Sequence, residues 1–365
     1  MDSNETGKQS SRQNRFKSIT QKLTLGYSLA RTSVFAVQGM VLPWIDFLAT
    51  GNRRKSPVNY SEHLKIALPK IQNLLAKDAE NIANGLYPIQ VLSPESPLKH
   101  TLRMPRIILD ALKSARRRDK KENKEFDQKA NEYLEGLPDY YKRNFHFQTS
   151  GYLGDESAEL YNHQVEILFS GAADAMRRLM IAPLKIHLQS LGLPQDGAGL
   201  KFLEIGAGTG GLTKSMAQAF PKAQITCLDL SAVYLAKAKE NLKDFPRVDF
   251  VQQAGEKTTF KDQTFDAVYS CFMFHELPIE IRKEMIAESS RLLKTNGFMG
   301  IVDSLQENDD AEFQWALEQF PQDFHEPFYK NYTQNPLEDL MSAAGLKNVQ
   351  SEIGFLSKVV SSIKI

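Results

Sequence analysis

Up to residue 200 the apolar positions recur every three or four residues; beyond it they gather into short runs separated by helical stretches. Leu64, Leu68, Ile71, Leu75 and Ile82 keep the spacing of one helix face, with Ser61 as a cap and Gly85 as a stop. Pro69 predicts a kink or a restart in that helix. The Pro-punctuated stretch from Tyr87 to Pro105 reads as loop. Ile107, Ile108, Ala111, Leu112 and Ala115 then restart a helix that runs into a charged stretch closed by Gly136 and Pro138. One long helix is expected from a cap at Asp155 through Ala158, Val165, Phe169 and Ala172 to Leu179. Strands are predicted at 201–205, 224–228, 248–252, 265–270 and 297–302, with helices at 231–242 and 278–293 among the connections. That alternation defines a doubly wound α/β domain over 151–365, behind a mainly helical region at 1–150. Ligands of such sheets sit at the carboxyl ends of the strands.

Charge adds an asymmetry to this picture. The 365 residues hold 45 Lys and Arg against 44 Asp and Glu, but residues 1–150 hold 25 against 15, which leaves 20 against 29 for the rest. A basic module that meets an anionic partner, either a membrane surface or nucleic acid, is the expectation. No acidic residue lies between Gly7 and Ile45, whereas Lys8, Arg12, Arg15, Lys17, Lys22 and Arg31 are basic. The composition is that of a transit peptide without a convincing cleavage site. Val34–Ala49, interrupted by Gln38, Pro43 and Asp46, reads as too short to span a bilayer. It suits a helix docked on the protein's own core or one lying in a membrane interface, so peripheral contact through residues 8–48 is a candidate. Cys227 and Cys271 are the only cysteines. They exclude a disulfide framework and any zinc-type spacing, no metal is expected, and the compartment implied is the cytoplasm.

The first strand runs into Glu204, Ile205, Gly206, Ala207, Gly208, Thr209, Gly210 and Gly211, and Asp229 closes the second strand. Glycines let the chain turn tightly and bring its backbone against a ligand, and the acid can accept both hydroxyls of a ribose. This loop alone does not separate a nicotinamide dinucleotide from S-adenosylmethionine. The segments that follow do. Leu203-Glu-Ile-Gly-Ala-Gly-Thr-Gly210, Leu228-Asp-Leu-Ser231, Phe265-Asp-Ala-Val-Tyr-Ser270 and Arg291-Leu-Leu-Lys-Thr-Asn-Gly297 resemble the successive motifs of class I S-adenosylmethionine-dependent methyltransferases. The likeness covers about residues 155–365 and is nearest to the small-molecule branch that includes ubiquinone and menaquinone C-methyltransferases. It implies a Rossmann-like, mostly parallel seven-stranded sheet and S-adenosylmethionine as cofactor. Contacts would come from Glu204, Gly206, Ala207, Gly208, Gly210, Asp229, Leu230 and Ser270. Where relatives often read Gly-Asp-Ala-Glu, this chain reads Gln253-Ala254-Gly255-Glu256, so Gly255 and Glu256 are left to hold the adenine.

Methyl transfer from a sulfonium is an in-line displacement that needs alignment, desolvation and, for some acceptors, removal of a proton. Ser270-Cys-Phe-Met-Phe-His-Glu-Leu277 follows the fourth strand at the cofactor-facing edge. His275 is the candidate general base, with a pKa near neutrality; its other reading is a cap for the next helix. Glu276 and Asp303 are similarly placed acids. Residues 304–335, rich in aromatics, read as a lid, and His325 within it is a second candidate base. The aromatic run from Tyr140 to Tyr152 reads equally as a pocket wall or as packing. These features favour a small, apolar or membrane-associated acceptor. No Asn-Pro-Pro-Tyr type or Pro-Cys segment follows the fourth strand, which argues against base methylation of nucleic acid, although an RNA methyltransferase that docks through the basic half stays an alternative. A non-catalytic cofactor-binding scaffold is another, and an NAD-dependent dehydrogenase leaves the later motifs unexplained. Oligomeric state has no signature in the sequence.

Overall fold

The computed structural model describes residues 3–51, 60–92 and 97–365, with side chains from residue 14 onward apart from those of residues 60, 61, 97 and 98. Most of the linker expected over 51–57, the side chains of Lys8 and Arg12 and the Ser61 cap lie outside the described residues. The N-terminal region is built of α1 (Ser3–Gly39), α2 (Leu42–Thr50), α3 (Tyr60–Ala83), α4 (Pro97–Lys120) and the short α5 (Gln128–Glu132). Both prolines lie inside continuous helices, so α3 does not restart at Pro69 and the stretch before Pro105 is not all loop. Helix α3 continues through Pro69 with Ala67, Ile71, Leu74 and Leu75 buried around it, and α4 continues through Pro105 between buried Arg103 and Ile107. Tertiary burial outweighs the roughly 3 kcal/mol that an interior proline costs. Helix α4 also stops at Lys120, well before Gly136, as Lys121 turns left-handed at φ +57°.

The long helix expected from 155 to 179 is broken. In its place stand α6 (Asp155–Leu168), α7 (Ala173–Arg178) and α8 (Ile181–Ser190), separated first at Ser170 and Gly171, whose φ values are +50° and +80°. Gly154, with Asp155 in the first turn behind it, occupies the cap. A Cβ on Gly171 would stand 2.9 Å from the Thr32 Cα, so the break lets α1 press directly against the turn. Arg31 of α1 seals that contact, donating to the Gly171 carbonyl at 2.6 Å and pairing with Glu166 at 3.0 Å and Asp174 at 3.1 Å. Nearby, Arg178 makes two bonds, of 2.8 and 2.6 Å, to Asp78 of α3, and the Tyr87 hydroxyl donates to the same carboxylate.

Seven strands, β1 (Lys201–Ile205), β2 (Gln224–Asp229), β3 (Val248–Gln252), β4 (Phe265–Cys271), β5 (Leu293–Ser304), β6 (Lys347–Gly354) and β7 (Ser357–Ile363), form one sheet in the order β3-β2-β1-β4-β5-β7-β6. The first five are parallel, and the β6–β7 hairpin joins antiparallel at β5. Helices α9 (Gly211–Ala219), α10 (Ala232–Asn241) and α11 (Ile279–Leu292) fill the connections. Burial on both faces accounts for the unbroken apolar runs of β1, β2 and β4. In register Ile205 lies beside Leu228 and Ser270, so the loops after β1, β2 and β4 open on one edge. Above that edge the segment after β5 folds into α12 (Gln314–Asp323) and α13 (Tyr329–Thr333), followed by α14 (Leu337–Ala343).

The charge split has an internal explanation. Besides Arg31, Arg103 pairs with Glu159, Arg106 with Glu156, Lys129 with Asp155, and Lys70 with Asp310 and Glu312. Much of the basic surplus thus meets the protein's own acidic half rather than a separate anion. One segment does face outward. Asn14–Thr50 contains an 18-residue window apolar enough, by length and composition, to cross a membrane, and 22% of that window is buried. By length and composition the segment thus passes a test that Val34–Ala49, read from sequence as too short to span a bilayer, was expected to fail.

Asp78→Ala strands the buried Arg178 guanidinium and should cost about 3–5 kcal/mol of stability, read by chemical denaturation. Lys77→Ala, which breaks the exposed 3.3 Å pair with Glu352, should cost less than about 1 kcal/mol.

Candidate active site

The glycine loop is clipped to β2: the Gly206 and Ala207 amides donate to the Leu228 carbonyl at 2.8 and 3.0 Å. Gly206 is left-handed at φ +69°, and a Cβ there would stand 2.3 Å from the Met273 sulfur. The Gly208 amide donates to Asp229 Oδ2 at 2.8 Å, while Asp229 Oδ1 accepts from the Ser231 amide at 2.8 Å. Burial nevertheless prevails and pushes the Asp229 carboxyl up to about 6. Gly206, Gly208, Asp229, Leu230, Gly255 and Glu256 line a cavity of about 90 Å³ at this edge. Glu204, Ala207, Gly210 and Ser270 do not. Glu204 lies behind the loop, where it accepts the Thr213 hydroxyl at 2.5 Å and burial lifts it to about 8. Gly210 caps α9, Ala207 is buried in the core, and the Ser270 hydroxyl is buried without a hydrogen-bond partner.

The N-terminal half closes this cavity with Tyr140, Tyr141 and Tyr152; Tyr140 donates to Glu256 at 2.8 Å. The residues fit S-adenosylmethionine. Asp229 offers acceptors for paired hydroxyls, the Gly255 turn is so close to Ile205 that a Cβ would lie at 2.3 Å, and tyrosine rings with Glu276 suit a cationic sulfur.

A second, larger cavity of about 220 Å³ adjoins it, lined chiefly by apolar side chains such as Ile107, Val165, Leu317, Phe320 and Phe324. Tyr161, Phe272 and Glu276 line both cavities. Asp303, wholly buried, accepts from the Met273 and Phe274 amides at 3.1 and 2.7 Å and from the Ser304 amide at 2.7 Å, and its Oδ1 lies 2.6 Å from His275 Nδ1. His275 therefore pairs with the end of β5 and does not cap α11. Burial works against its charged form, but the charge and hydrogen bond of Asp303 outweigh it and push His275 up to about 9. At neutral pH this ring keeps its proton, which makes it a donor rather than the free base expected from sequence. Glu276, bonded by the Tyr152 hydroxyl, is the carboxylate that faces both cavities.

His325 lines neither cavity: it stands 3.5 Å from Asn123 and against the Phe147 ring, and burial lowers it to about 4. Its neighbour Glu326 points inward instead. His146 lies between Glu276 and Glu326, at 3.2 and 3.1 Å. Sequence reading passed over His146 as one aromatic-flanked residue, since only folding carries it from the N-terminal region to the β4 edge. Asn144, wholly buried, and Arg117, which donates to the Phe147 carbonyl at 2.8 Å, hold its loop in place.

Residues 202–297 match the family model described as a methyltransferase domain. With the strand order and the glycine loop, this part of the chain resembles the methyltransferase domain that the family model describes. The chain is 29% identical over 154 residues to the malonyl-[acyl-carrier protein] O-methyltransferase of Geobacter sulfurreducens, covering 41% of this chain and 57% of that one. It is 31% identical over 151 residues to the demethylmenaquinone methyltransferase of Chlorobaculum parvum, covering 41% and 58%. The chain thus spans little more than half the length of these two curated relatives. Among solved structures, a SAM dependent methyltransferase from Aquifex aeolicus aligns with TM-score 0.38 and 19% identity over 56% of this chain and 98% of that one.

Asp229 accepts hydroxyls well only as the carboxylate, so affinity for S-adenosylmethionine should be level above pH 7 and fall about tenfold per pH unit well below pH 6. Calorimetry from pH 7.5 to 5 reads this directly. Asp229→Asn should bind weakly and lose that slope.

Proposed function

We propose that the protein transfers a methyl group from S-adenosylmethionine to a small acceptor with an apolar body. The observation that carries this reading is Glu276, which sits in the wall common to the glycine-loop cavity and the larger apolar cavity. The cofactor supplies a methyl on a positively charged sulfur, which leaves as a neutral thioether. The chain's own residues do the rest. Gly206, Gly208 and Asp229 orient one partner, and Phe272 and Tyr161 frame the passage between the cavities. Glu276 accepts the proton of an ionising acceptor, steadied by Tyr152. His275, held by Asp303, keeps positive charge beside the passage, while Phe320 and Phe324 of the lid exclude water. The relatives named for a malonyl carrier protein and for demethylmenaquinone support a small acceptor in general terms.

Nucleic acid as the acceptor has less support. Arg31, Arg103 and Arg118 spend their charge on Glu166, Glu159 and Asp46, and the acceptor cavity is roofed by aromatics rather than open and basic.

The acceptor's source follows from the outer surface. Phe16, Ile19, Leu23, Tyr27, Val34, Val37, Val41, Trp44 and Leu48 are all exposed, and they keep three- or four-residue spacing along α1 and α2 apart from the step across Ala30. Arg15, Lys17 and Lys22 flank that stripe, and no acid lies between Gly7 and Ile45. Leu42 and Asp46 of α2 line the apolar cavity. An anionic bilayer is the partner such a stripe suits, and the cavity beside it can take an amphiphile from there.

Incubation with methyl-labelled S-adenosylmethionine and a cell extract should place label in the solvent-extractable fraction, absent with Gly206→Ala. Label confined to RNA would overturn the reading. With vesicles containing phosphatidylserine, the protein should sediment at low salt, and Val37→Glu with Leu48→Glu should cut partition by more than about tenfold. Protein left in the supernatant would remove the membrane from the proposal, and a variant-sensitive dimer would reassign the stripe to a second copy.

A further inference from the structure

Glu276 lies beside two groups that no methyl-transfer step requires: His146 in the acceptor-cavity wall and Glu326 buried behind it. His146, Glu276 and Glu326 come from three distant segments, and one ligand atom from each lies within 4.8 Å of the others. His146 Nε2 stands 3.2 Å from Glu276, and its Nδ1 stands 3.1 Å from Glu326. Glu326 is only 3% exposed, and neither of its side-chain oxygens has a hydrogen-bond partner of acceptable geometry. A buried carboxylate met only by the His146 ring at 3.1 Å is costly and calls for a cation or a proton.

Charge counting narrows the choice. Asp303 and His275 are each other's partners at 2.6 Å. That leaves Glu276 and Glu326 as two carboxylates around one imidazole, against a cavity wall of mostly apolar side chains. A divalent cation with neutral His146 balances this set fully. Tyr152, which donates to Glu276, is the outer partner that such a ligand carboxylate usually has.

We propose that His146, Glu276 and Glu326 form a binding site for a first-row divalent cation. One imidazole and two carboxylates are a mixed nitrogen and oxygen set suited to Mn²⁺, Fe²⁺ or Zn²⁺, and three protein ligands leave positions open. Because His146 and Glu276 also line the acceptor cavity, those positions are within reach of an oxygen atom at the reacting end of the acceptor. The acceptor class thereby narrows to molecules that carry an acidic hydroxyl, an enol or a carboxylate at that end. Use of the ion in catalysis rests on the methyl-transfer reading, but its binding does not.

The test uses the full chain, stripped with EDTA and dialysed. Titration with MnCl₂, with free Mn²⁺ followed by electron paramagnetic resonance, should show one equivalent bound per chain, displaced by ZnCl₂. Glu326→Gln and His146→Ala should each weaken binding by about tenfold or more, while calorimetry with S-adenosylmethionine shows the cofactor site intact. Binding that is undiminished in both variants would overturn the assignment. So would a wild-type protein that binds neither ion, and this outcome decides the matter even if the variants do not fold. In that case a Glu326→Gln variant that melts no lower than wild type would show that the two carboxylates share a proton instead, whereas methyl transfer without any bound ion would leave the proposed function standing.

Discussion

The arrangement of the site hangs on the Asp303 carboxylate. A fully buried charge must be met by donors, and every donor that Asp303 has is local: the amides of Met273, Phe274 and Ser304 and the ring of His275. Three of the four belong to the segment after β4. The carboxylate at the end of β5 thereby dictates the path of residues 272–276, including the left-handed Phe272 at φ +54°. That path turns Glu276 toward both cavities and puts Met273 under Gly206, where no side chain beyond hydrogen could be fitted. Unfavourable backbone at a functional loop persists because its surroundings over-determine it.

A second constraint operates between the two halves of the chain. Arg31, Arg103 and Arg178 leave the solvent and must find acids, and the acids are on α6, α7 and α3. These ion pairs are bonds of position more than of energy, since desolvation offsets most of their attraction. Their consequence is geometric: the helices before residue 120 are held so that the loop after them can deliver His146, Tyr140 and Tyr152 to the edge of the sheet. The sheet supplies the glycine-loop edge, and the preceding region supplies much of the wall of both cavities.

The same packing sorts the apolar residues of α1 and α2. Thr24, Ser28, Thr32 and Phe35 face inward while the bulkier Phe16, Leu23, Val37 and Leu48 face outward, so the more polar face is the one that is buried. This inversion is the reverse of what a helix docked only on its own core would show. The outward stripe thus continues onto α2, whose Leu42 lines the larger cavity.

The sequence by itself did not show the β6–β7 hairpin but determined the five parallel strands, the glycine loop and the acid at Asp229, because these depend on local rules: short apolar runs buried on both faces, positive φ at Gly206 and Gly208, and a carboxylate at a strand end. It also located His275 and Glu276 beside the cofactor edge, since a residue following β4 has nowhere else to go. Tertiary structure decided the rest. Pro69 and Pro105 stayed in helices because burial outweighed their cost, and the helix after Asp155 broke at Gly171 because α1 needed the space. His275 became a proton-holding partner of Asp303, Glu326 rather than His325 turned inward to meet His146, and His146 joined the cavity wall from the far half of the chain. These outcomes depend on which charges meet in the interior, and that is set by contacts between distant segments rather than by any spacing along the chain.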